Sequence, residues 1–285
     1  MTPQSPDVHV QPAGLLGDPL ADALRRAGCV FAEDEAELLR RHAAGADELA
    51  DLCARRIAGE PLEHLLGWVQ FGNLRLSVGF GVFVPRQRSL LLAQEAIDAA
   101  TGRPGAVVLE AFCGVAPIAS AVAATVDGVQ VHAADIAADA LVHARRNLPD
   151  DAQIHHGIGF DALPEALRGR VDVIAAVPPY VPDHAFGLLA PEARDHEPRR
   201  ALTGGVDGLD HVDTLVDAAQ TWLSDTGTLL IEMNVAQFDA VAAGDGRSAF
   251  DIDAVAGDDG QTVVARFRRW LPGRGVRFRE RPAVG

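Results

Sequence analysis

The sequence predicts an α/β protein: a doubly wound parallel sheet preceded by a small N-terminal helical domain and a β-hairpin linker. Two observations lead to this prediction. From Ser89 onward, short apolar runs alternate with segments of helical periodicity, as in successive strand–helix units. Before Ser89, three helical segments precede a stretch of alternating residues punctuated by glycine. The predicted divisions are a loose leader, a helical domain, a hairpin linker and a sheet domain, over residues 1–17, 18–66, 67–88 and 89–285.

The helical domain is predicted from segments whose apolar residues recur every three to four positions. The first, DPLADALRRAG, offers Asp18 as an N-cap, Pro19 at the first helical position and Gly28 as a stop. Two further segments, EDEAELLRRHAAG and ADELADLCARRIAG, also end at glycine. The preceding residues 1–17 show no periodicity, so no element is predicted there.

The linker and the sheet domain follow in chain order. The linker WVQFGNLRLSVGFGVFVPR alternates like paired strands, and its Gly-Asn step predicts a hairpin turn. Strands are then predicted for AVVLEAF, VQVHAAD, AQIHH, VDVIAAV, GTLLIEM, AFDIDAV and QTVVARFRRW, with helices between the earlier ones. We expect the closing pair to be antiparallel.

The composition excludes several classes of function. The formal net charge of −15 and pI near 5.0 predict no nucleic-acid partner, because phosphate binding needs basic surfaces. All 25 cationic side chains are arginine, which excludes Schiff-base chemistry on lysine. Cys29, Cys53 and Cys113 lack a CxxC spacing, so neither a metal site nor disulfides are predicted. Without a long apolar run we expect no membrane contact and a cytoplasmic location. The oligomeric state stays open.

Ligands of open α/β sheets bind beyond the carboxyl ends of the strands, and the first two such loops carry acids. In LEAFCGVAPIAS, Glu110 ends a strand and Gly114 opens the turn into a helix. This turn suits a cofactor, although a plain tight turn has the same pattern. In VHAADIAADAL, Asp135 ends the next strand, where an acid commonly accepts hydrogen bonds from ribose. An ordinary helix N-cap is the alternative.

The next two loops carry histidines and a tyrosine. His155 and His156 are adjacent, so a strand points them to opposite faces, which makes a poor metal pair. In DVIAAVPPYVPDH, Pro178 and Pro179 keep the chain extended before Tyr180, the only tyrosine of the chain. We predict that Tyr180 lies over a reacting group, the alternative being simple core packing.

These loops, in this order, resemble the HemK/PrmC-type protein N5-glutamine methyltransferases, and in particular an actinobacterial PrmC-related subgroup. The resemblance is also carried by GEPLEHLLGWVQFGNLRLSVGFGVFVPRQRS, EARDHEPRRALTGGVDGLD and GTLLIEM. It implies a Rossmann-like class I methyltransferase sheet. It also implies S-adenosylmethionine (SAM) as the methyl donor and the GGQ loop of peptide release factors as the family's substrate.

Carried over residue by residue, the resemblance implies two sets of site residues. The SAM-binding set is Glu110, Phe112, Gly114, Asp135, Ile136, Gly159 and Phe160. The catalytic set is Val177, Pro178, Pro179 and Tyr180, at the position of the family's Asn-Pro-Pro-Tyr, together with His184 as a candidate base.

Three positions depart from the family pattern. Ala116 replaces a glycine and is expected to crowd SAM, and Ile158 replaces an acid near the adenine. Val177 replaces the asparagine that accepts a hydrogen bond from the substrate amide. Valine has no polar group, so the substrate amide loses a partner at a cost of roughly 1–3 kcal/mol. We therefore expect a less polar acceptor, such as a specialised metabolite.

Three functions remain open on these grounds. The first is a SAM-dependent methyltransferase that acts on a less polar small molecule. The second is the family activity on a protein glutamine. The third is a methyltransferase fold that no longer transfers methyl and serves as a binding protein, a cyclase or an isomerase. Titration with SAM separates the third from the others, and acceptor assays separate the first from the second.

Overall fold

The computed structural model of the protein describes residues 18–243 and 249–269. The chain divides after Leu66 into two compact units. The predicted leader, residues 1–17, and the end of the last predicted strand at Trp270 lie outside the described residues.

The first unit consists of helices that pack through small and leucine side chains. Its elements are α1 Pro19–Arg26, α2 Ala32–His42, α3 Ala46–Ile57 and α4 Leu62–Leu66. Asp18 caps α1, since its side chain accepts a hydrogen bond from the Leu20 amide at 3.0 Å. The buried Arg56 of α3 forms an ion pair with Glu35 of α2 at 2.6 Å. The two longest helices of this unit are thereby joined by a charged contact as well as by apolar packing.

The second unit begins with an antiparallel hairpin and continues as a seven-stranded sheet. The hairpin strands are β1 Trp68–Phe71 and β2 Leu74–Ser77, joined at Gly72-Asn73. The sheet strands are β3 Val107–Ala111, β4 Gln130–Asp135, β5 Gln153–His156, β6 Val171–Ala176, β7 Leu223–Asn234, β8 Phe250–Ala256 and β9 Thr262–Arg269. The helices are α5 Leu90–Ala100, α6 Pro117–Thr125, α7 Ala138–Asn147, α8 Pro191–His196, α9 Asp210–Trp222 and α10 Val235–Ala243.

The strand order confirms the predicted doubly wound fold. The order is β5-β4-β3-β6-β7-β9-β8, with β3 to β7 parallel. Strand β9 runs antiparallel to both β7 and β8, as predicted for the closing pair. The direction of winding reverses between β3 and β6, and ligands of such sheets bind at this reversal.

Helices cover both faces of the sheet because the central strands are apolar on both sides. Along β3, Val107 and Leu109 point to one face and pack in the cluster that contains Leu215 of α9. Val108 points to the other face and packs with Leu92 of α5 and with side chains of α6. An uninterrupted apolar strand of this kind is typical of a sheet covered on two sides.

The structure differs from the prediction in the linker and in helices α4, α8 and α10, which were not predicted. After Ser77 the linker does not continue as a strand, and its VGFGVFVPR segment forms a loop. Helix α10, Val235–Ala243, was not predicted from the sequence, because its alanine-rich pattern has little amphipathic contrast.

Candidate functional site

A cavity of about 730 Å³ lies at the carboxyl ends of β3, β4, β5 and β6. All the residues that line it belong to the second unit. Besides the strand ends, the loop before α5 and the segment around α8 contribute to its walls. Ten of the twelve residues in the SAM-binding and catalytic sets line it: Glu110, Phe112, Gly114, Asp135, Ile136, Gly159, Val177, Pro178, Pro179 and Tyr180. The loops after four separate strands therefore meet at one site.

The turn between β3 and α6 has an unusual backbone. Gly114 has a φ of 53°, and a Cβ atom added there would meet no atom within 4 Å. Phe112 and Ala116 also have positive φ values, 54° and 61°, which side-chain-bearing residues rarely adopt. Ala116 is fully buried and packs with Cys113 and Leu141. The methyl group of Ala116 lies in the core and does not line the cavity, and the expected crowding of SAM stays a prediction.

Glu110 binds the first turn of the helix that follows this turn, α6. Its carboxylate accepts hydrogen bonds from the Ala119 amide at 2.7 Å and from the Ile118 amide at 3.3 Å, in the first turn of α6. Burial of the side chain raises the pKa of Glu110 to about 8. Glu110 is therefore neutral at pH 7 and fixes the start of α6 through these two amide hydrogen bonds.

Asp135 joins the turn after β3 to the turn after β4. Its Oδ2 accepts a hydrogen bond from the Gly114 amide at 2.8 Å, and its Oδ1 accepts one from the Ala137 amide at 2.8 Å. Each carboxylate oxygen has a second lone pair, and the side chain lines the cavity. Asp135 can therefore accept hydrogen bonds from a pair of hydroxyl groups without giving up its own partners.

The loop after β5 adds an apolar wall. Ile158 is 71% exposed and Ile136 is 52% exposed, and both line the cavity. Gly159 adopts a φ of 56° and faces open space. Phe160 does not line the cavity, contrary to its predicted role in SAM binding. Its ring is buried in the core beside Trp222, at 6.1 Å between centroids.

The segment from Val177 to Tyr180 leaves β6 and is clamped by a glycine-rich loop. A Cβ atom at Gly204 would lie 2.3 Å from the Pro179 carbonyl oxygen, and one at Gly208 would lie 2.2 Å from that of Tyr180. The Gln237 side chain donates a hydrogen bond to the same Tyr180 oxygen at 2.8 Å. The TGGVDGLD sequence thus fits directly against the backbone of the Pro-Pro-Tyr segment.

The Tyr180 hydroxyl is held by two charged side chains. Arg88 donates a hydrogen bond to it at 2.7 Å, and the hydroxyl lies 3.5 Å from Oε1 of Glu232. Arg88 also forms an ion pair with Glu232 at 3.4 Å. Burial raises the pKa of Glu232 and raises that of Tyr180 to about 12. Tyr180 therefore keeps its proton at neutral pH, with its ring position set by Arg88 and Glu232.

An ion pair between a half-buried arginine and a buried glutamate stabilises the cavity wall that follows α8. Glu197 is buried and accepts hydrogen bonds from Arg86 at 2.6 and 2.7 Å. It also accepts one from the Val84 amide at 3.3 Å. Because Pro198 comes directly after Glu197, this contact positions the cavity wall that runs on to Thr203.

His184 does not reach the cavity. It lies in a short 3₁₀ helix, Asp183–Leu188, and its side chain is exposed. Phe186 in the same helix packs under the Arg199 guanidinium, 4.6 Å from the ring centroid. The predicted base therefore has no contact with the site, since the chain turns away after Val181.

Sequence reasoning missed Arg88, Glu232, Gln237 and Glu197. Each stabilises Tyr180 or the wall beside it, and each lies 17 or more residues from Tyr180 along the chain. Arg88, Glu197 and Glu232 stand in segments that carry the family resemblance, PRQRS, EARDHEPRRAL and GTLLIEM, but the resemblance assigns them no contact. Gln237 lies outside these segments and had no signal.

Comparison with curated proteins finds relatives that are named release factor glutamine methyltransferases. The release factor glutamine methyltransferase of Streptomyces coelicolor is 38% identical over 185 residues, which cover 64% of this chain and 66% of that protein, just under two thirds. The release factor glutamine methyltransferase of Mycolicibacterium smegmatis is 34% identical over 228 residues, covering 73% of this chain and 80% of that protein. No protein-family model matches the chain.

A solved structure with a similar fold is the hMettl16 catalytic domain in complex with MAT2A 3′UTR hairpin 6. It superposes with a TM-score of 0.53 at 13% identity, covering 78% of this chain and 83% of that domain. At this identity the likeness concerns the fold alone. Within residues 18–243 and 249–269, no helix has the length and apolarity needed to cross a membrane.

Proposed function

We propose a function from one premise: the chain belongs to the release factor glutamine methyltransferase family. As a member of this family it is a methyltransferase with SAM as the methyl donor. We propose that it methylates the side-chain nitrogen of a glutamine in a release factor, the activity named for its relatives. The observation that carries the proposal is that Asp135 and Tyr180 line one cavity at the reversal of the sheet.

The residues at one end of the cavity fit SAM. Two glycines with left-handed backbone, Gly114 and Gly159, leave open space where side chains would stand. Asp135 has free lone pairs for ribose hydroxyls, and the exposed Ile136 and Ile158 offer an apolar surface to a base. A volume of about 730 Å³ leaves room for both a nucleoside and an acceptor.

The residues of this chain contribute orientation more than acid–base chemistry. Bound SAM would supply an electrophilic methyl group for in-line displacement. The Pro178-Pro179 segment is rigid, and Tyr180 is fixed by Arg88, so the acceptor side of the cavity is preorganised. Precise placement of two reactants supplies a large part of the acceleration in such a transfer. His184 lies outside the cavity and does not take part in this placement.

Val177 favours a second candidate, methylation of a less polar acceptor. Its side chain is half-buried, packs against the apolar cluster beneath the sheet and also lines the cavity. At this point the wall offers no side-chain hydrogen-bond acceptor to a substrate amide. The site thus supports the methyl transfer more strongly than it supports the choice of glutamine.

The test uses a release factor bearing a GGQ loop as the substrate and compares its methylation by the wild type and by the Val177→Asn variant. If glutamine is the acceptor, the wild type methylates the release factor and Val177→Asn raises kcat/KM about tenfold, by restoring one hydrogen bond. Val181→Asn, a change at a neighbouring cavity wall, is the matched control and is expected to give no gain.

Two other outcomes are decisive. Micromolar SAM binding by calorimetry without methylation of the release factor would favour the less polar acceptor. Absence of SAM binding up to about 1 mM would exclude methyl transfer in any form.

A further inference from the structure

Glu232 places a buried carboxyl directly beside Val177. The register of β6 and β7 ends with Ala176 opposite Ile231. Continued by one residue, this register sets Val177 opposite Glu232. Both side chains then point to the face of the sheet that α5 covers, where Val177 packs in the same apolar cluster as Leu230, two residues before Glu232. Neighbouring strands lie about 5 Å apart, so the valine and the carboxyl are adjacent.

Only one oxygen of this carboxyl has contacts at hydrogen-bond distance. The side chain is fully buried, and Oε1 lies 3.5 Å from the Tyr180 hydroxyl and 3.4 Å from Nε of Arg88. Oε2 has no hydrogen-bond partner in the described part of the chain, although the Ser89 hydroxyl lies near the carboxyl. A proton on the carboxyl would sit on Oε2, because Oε1 faces two donors. Oε1 is thus a hydrogen-bond acceptor in both protonation states of Glu232.

These contacts set the direction of the Tyr180 hydroxyl. Its oxygen accepts a hydrogen bond from Arg88 at 2.7 Å, so its own proton points away from the arginine. Among the described residues, the one hydrogen-bond acceptor within reach of that proton is Oε1 of Glu232. A phenolic oxygen can accept a further hydrogen bond, and no group in residues 18–243 and 249–269 takes that place. The Tyr180 oxygen therefore has one open acceptor position.

The hydroxyl lies in the part of the cavity where the methyl acceptor is expected, called the acceptor end. Tyr180, Arg88 and Val177 all line the cavity, whereas Glu232 lies behind them and does not. Because the hydroxyl contacts Glu232, and Glu232 is the neighbour of Val177, the hydroxyl lies close to the valine. The wall thus has a polar oxygen beside the residue that cannot offer one.

We propose that the Tyr180 hydroxyl accepts a hydrogen bond from the N–H group of an amide methyl acceptor, with Glu232 and Arg88 as positioning residues. Their contacts keep the hydroxyl proton turned away from the cavity. This inference rests on the proposed methylation of glutamine and assigns the atom that recognises the side-chain amide. A primary amide has two N–H donors, so this role is compatible with the gain expected from Val177→Asn. Holding one N–H orients the nitrogen for in-line attack on the methyl group.

Because Tyr180 is the only tyrosine of the chain, a single NMR signal tests the proposal. Tyrosine labelled with ¹³C at Cζ gives one resonance, whose position responds to hydrogen bonding at the hydroxyl. The probes are propionamide, which carries the amide of glutamine, and methyl propanoate, an ester of similar size without an N–H group. We expect propionamide to shift the resonance of the full chain and to bind about fivefold more tightly than the ester. No shift with propionamide up to about 200 mM, or equal shifts with both probes, overturns the proposal.

Substitutions at Glu232 test its positioning role. Glu232→Leu removes the hydrogen-bond acceptor for the Tyr180 proton, so the hydroxyl turns freely, and the preference for the amide should fall below about twofold. Glu232→Gln keeps a carbonyl oxygen in the same place and should retain the preference. Tyr180→Phe, which lacks the hydroxyl, should lose it and provides the test if Glu232→Leu does not fold. Retention of the preference in Tyr180→Phe overturns the proposal.

Glu95→Leu is the matched control. The Glu95 side chain is also half-buried and pairs with an arginine, Arg266, at 3.2 Å, but it does not line the cavity. Retention of the amide preference in this variant, together with its loss in Glu232→Leu, supports the proposal. An equal loss in both variants shows a general effect of removing a shielded carboxylate and overturns the role of Glu232.

Failure of this proposal is distinguishable from failure of the proposed function. Methylation of the release factor without an amide preference in the probe assay overturns the role of Tyr180 and leaves the methyl transfer in place. An amide preference without methylation of the release factor supports the role of Tyr180 and contradicts the release factor as the substrate.

Discussion

The two ends of the cavity are held in place by different kinds of contact. At the end that we propose binds SAM, called the cofactor end, Glu110 and Asp135 bind backbone amides within 21 residues of themselves along the chain. At the acceptor end, Tyr180 is held by Arg88, which lies 92 residues away, and Gln237, which lies 57 residues away. The cofactor end therefore depends on a few backbone positions that are close in sequence. The acceptor end depends on several side chains that are distant in sequence, so its chemistry can change while its shape persists.

A substitution at the cofactor end should have the largest effect, which is on SAM affinity. Asp135→Asn removes the charge and replaces one acceptor oxygen with an NH₂ group that faces backbone N–H donors. We expect SAM affinity to fall about 10- to 100-fold, since hydrogen bonds to charged groups contribute about 1.5–3 kcal/mol. Calorimetric titration measures the change. Asp161→Asn, at an exposed aspartate outside the cavity, should leave SAM affinity unaltered, and an equal loss in both variants would remove Asp135 from the site.

A substitution at the acceptor end should lower activity on the acceptor and leave SAM affinity unchanged. Tyr180→Phe deletes the hydroxyl that Arg88 and Glu232 hold, so the ring loses its fixed position. We expect kcat/KM for the acceptor to fall about tenfold, with SAM affinity changed by less than about twofold. Thr214→Val is the control, because that hydroxyl lines the cavity but bonds only within its own helix, to Asp210. Parallel losses of kcat/KM and SAM affinity in Tyr180→Phe would contradict the separation of the two ends.

The buried carboxyl of Glu110 should make stability depend on pH. Its folded-state pKa of about 8 lies above the ordinary glutamate pKa of 4.5, so between these two pH values the folded state binds the extra proton. Stability must therefore fall as pH rises, by about 1.4 kcal/mol between pH 7 and pH 9. Thermal unfolding across this range measures the slope. In Glu110→Gln the slope should be smaller, and an unchanged slope would show that Glu110 is ionised at neutral pH.

The same contrast explains how much the sequence alone could predict. The alternation of apolar runs and helices predicted the sheet, because each strand–helix unit is a local pattern. Asp135 and Gly114 were found for the same reason, since both stand at strand ends in sequence. Phe160 and His184 were assigned by family position or by nearness to Tyr180. The structure places Phe160 in the core and His184 outside the cavity.

The contacts at the acceptor end were harder to predict from the sequence, because they join residues that are far apart along the chain. Nothing in PRQRSL indicates that Arg88 reaches the Tyr180 hydroxyl, and nothing in GTLLIEM indicates that Glu232 is buried beneath it. Such contacts arise only when the β6 and β7 strands pair and α5 packs across them. The departure at Val177 was visible in the sequence, but its consequence depends on these neighbours.

The smallest effect is expected at Ala116, whose methyl group is buried in the core. The residue has a φ of 61°, so Ala116→Gly relieves backbone strain of about 1–2 kcal/mol. The same change removes a buried methyl group and adds chain entropy to the unfolded state, which together cost a similar amount. We therefore expect unfolding free energy to change by less than about 1 kcal/mol and SAM affinity by less than about twofold. A larger gain in SAM affinity would mean that the methyl group at Ala116 constrains the cofactor turn from the core, and that the cofactor end tolerates substitution as poorly as the acceptor end does.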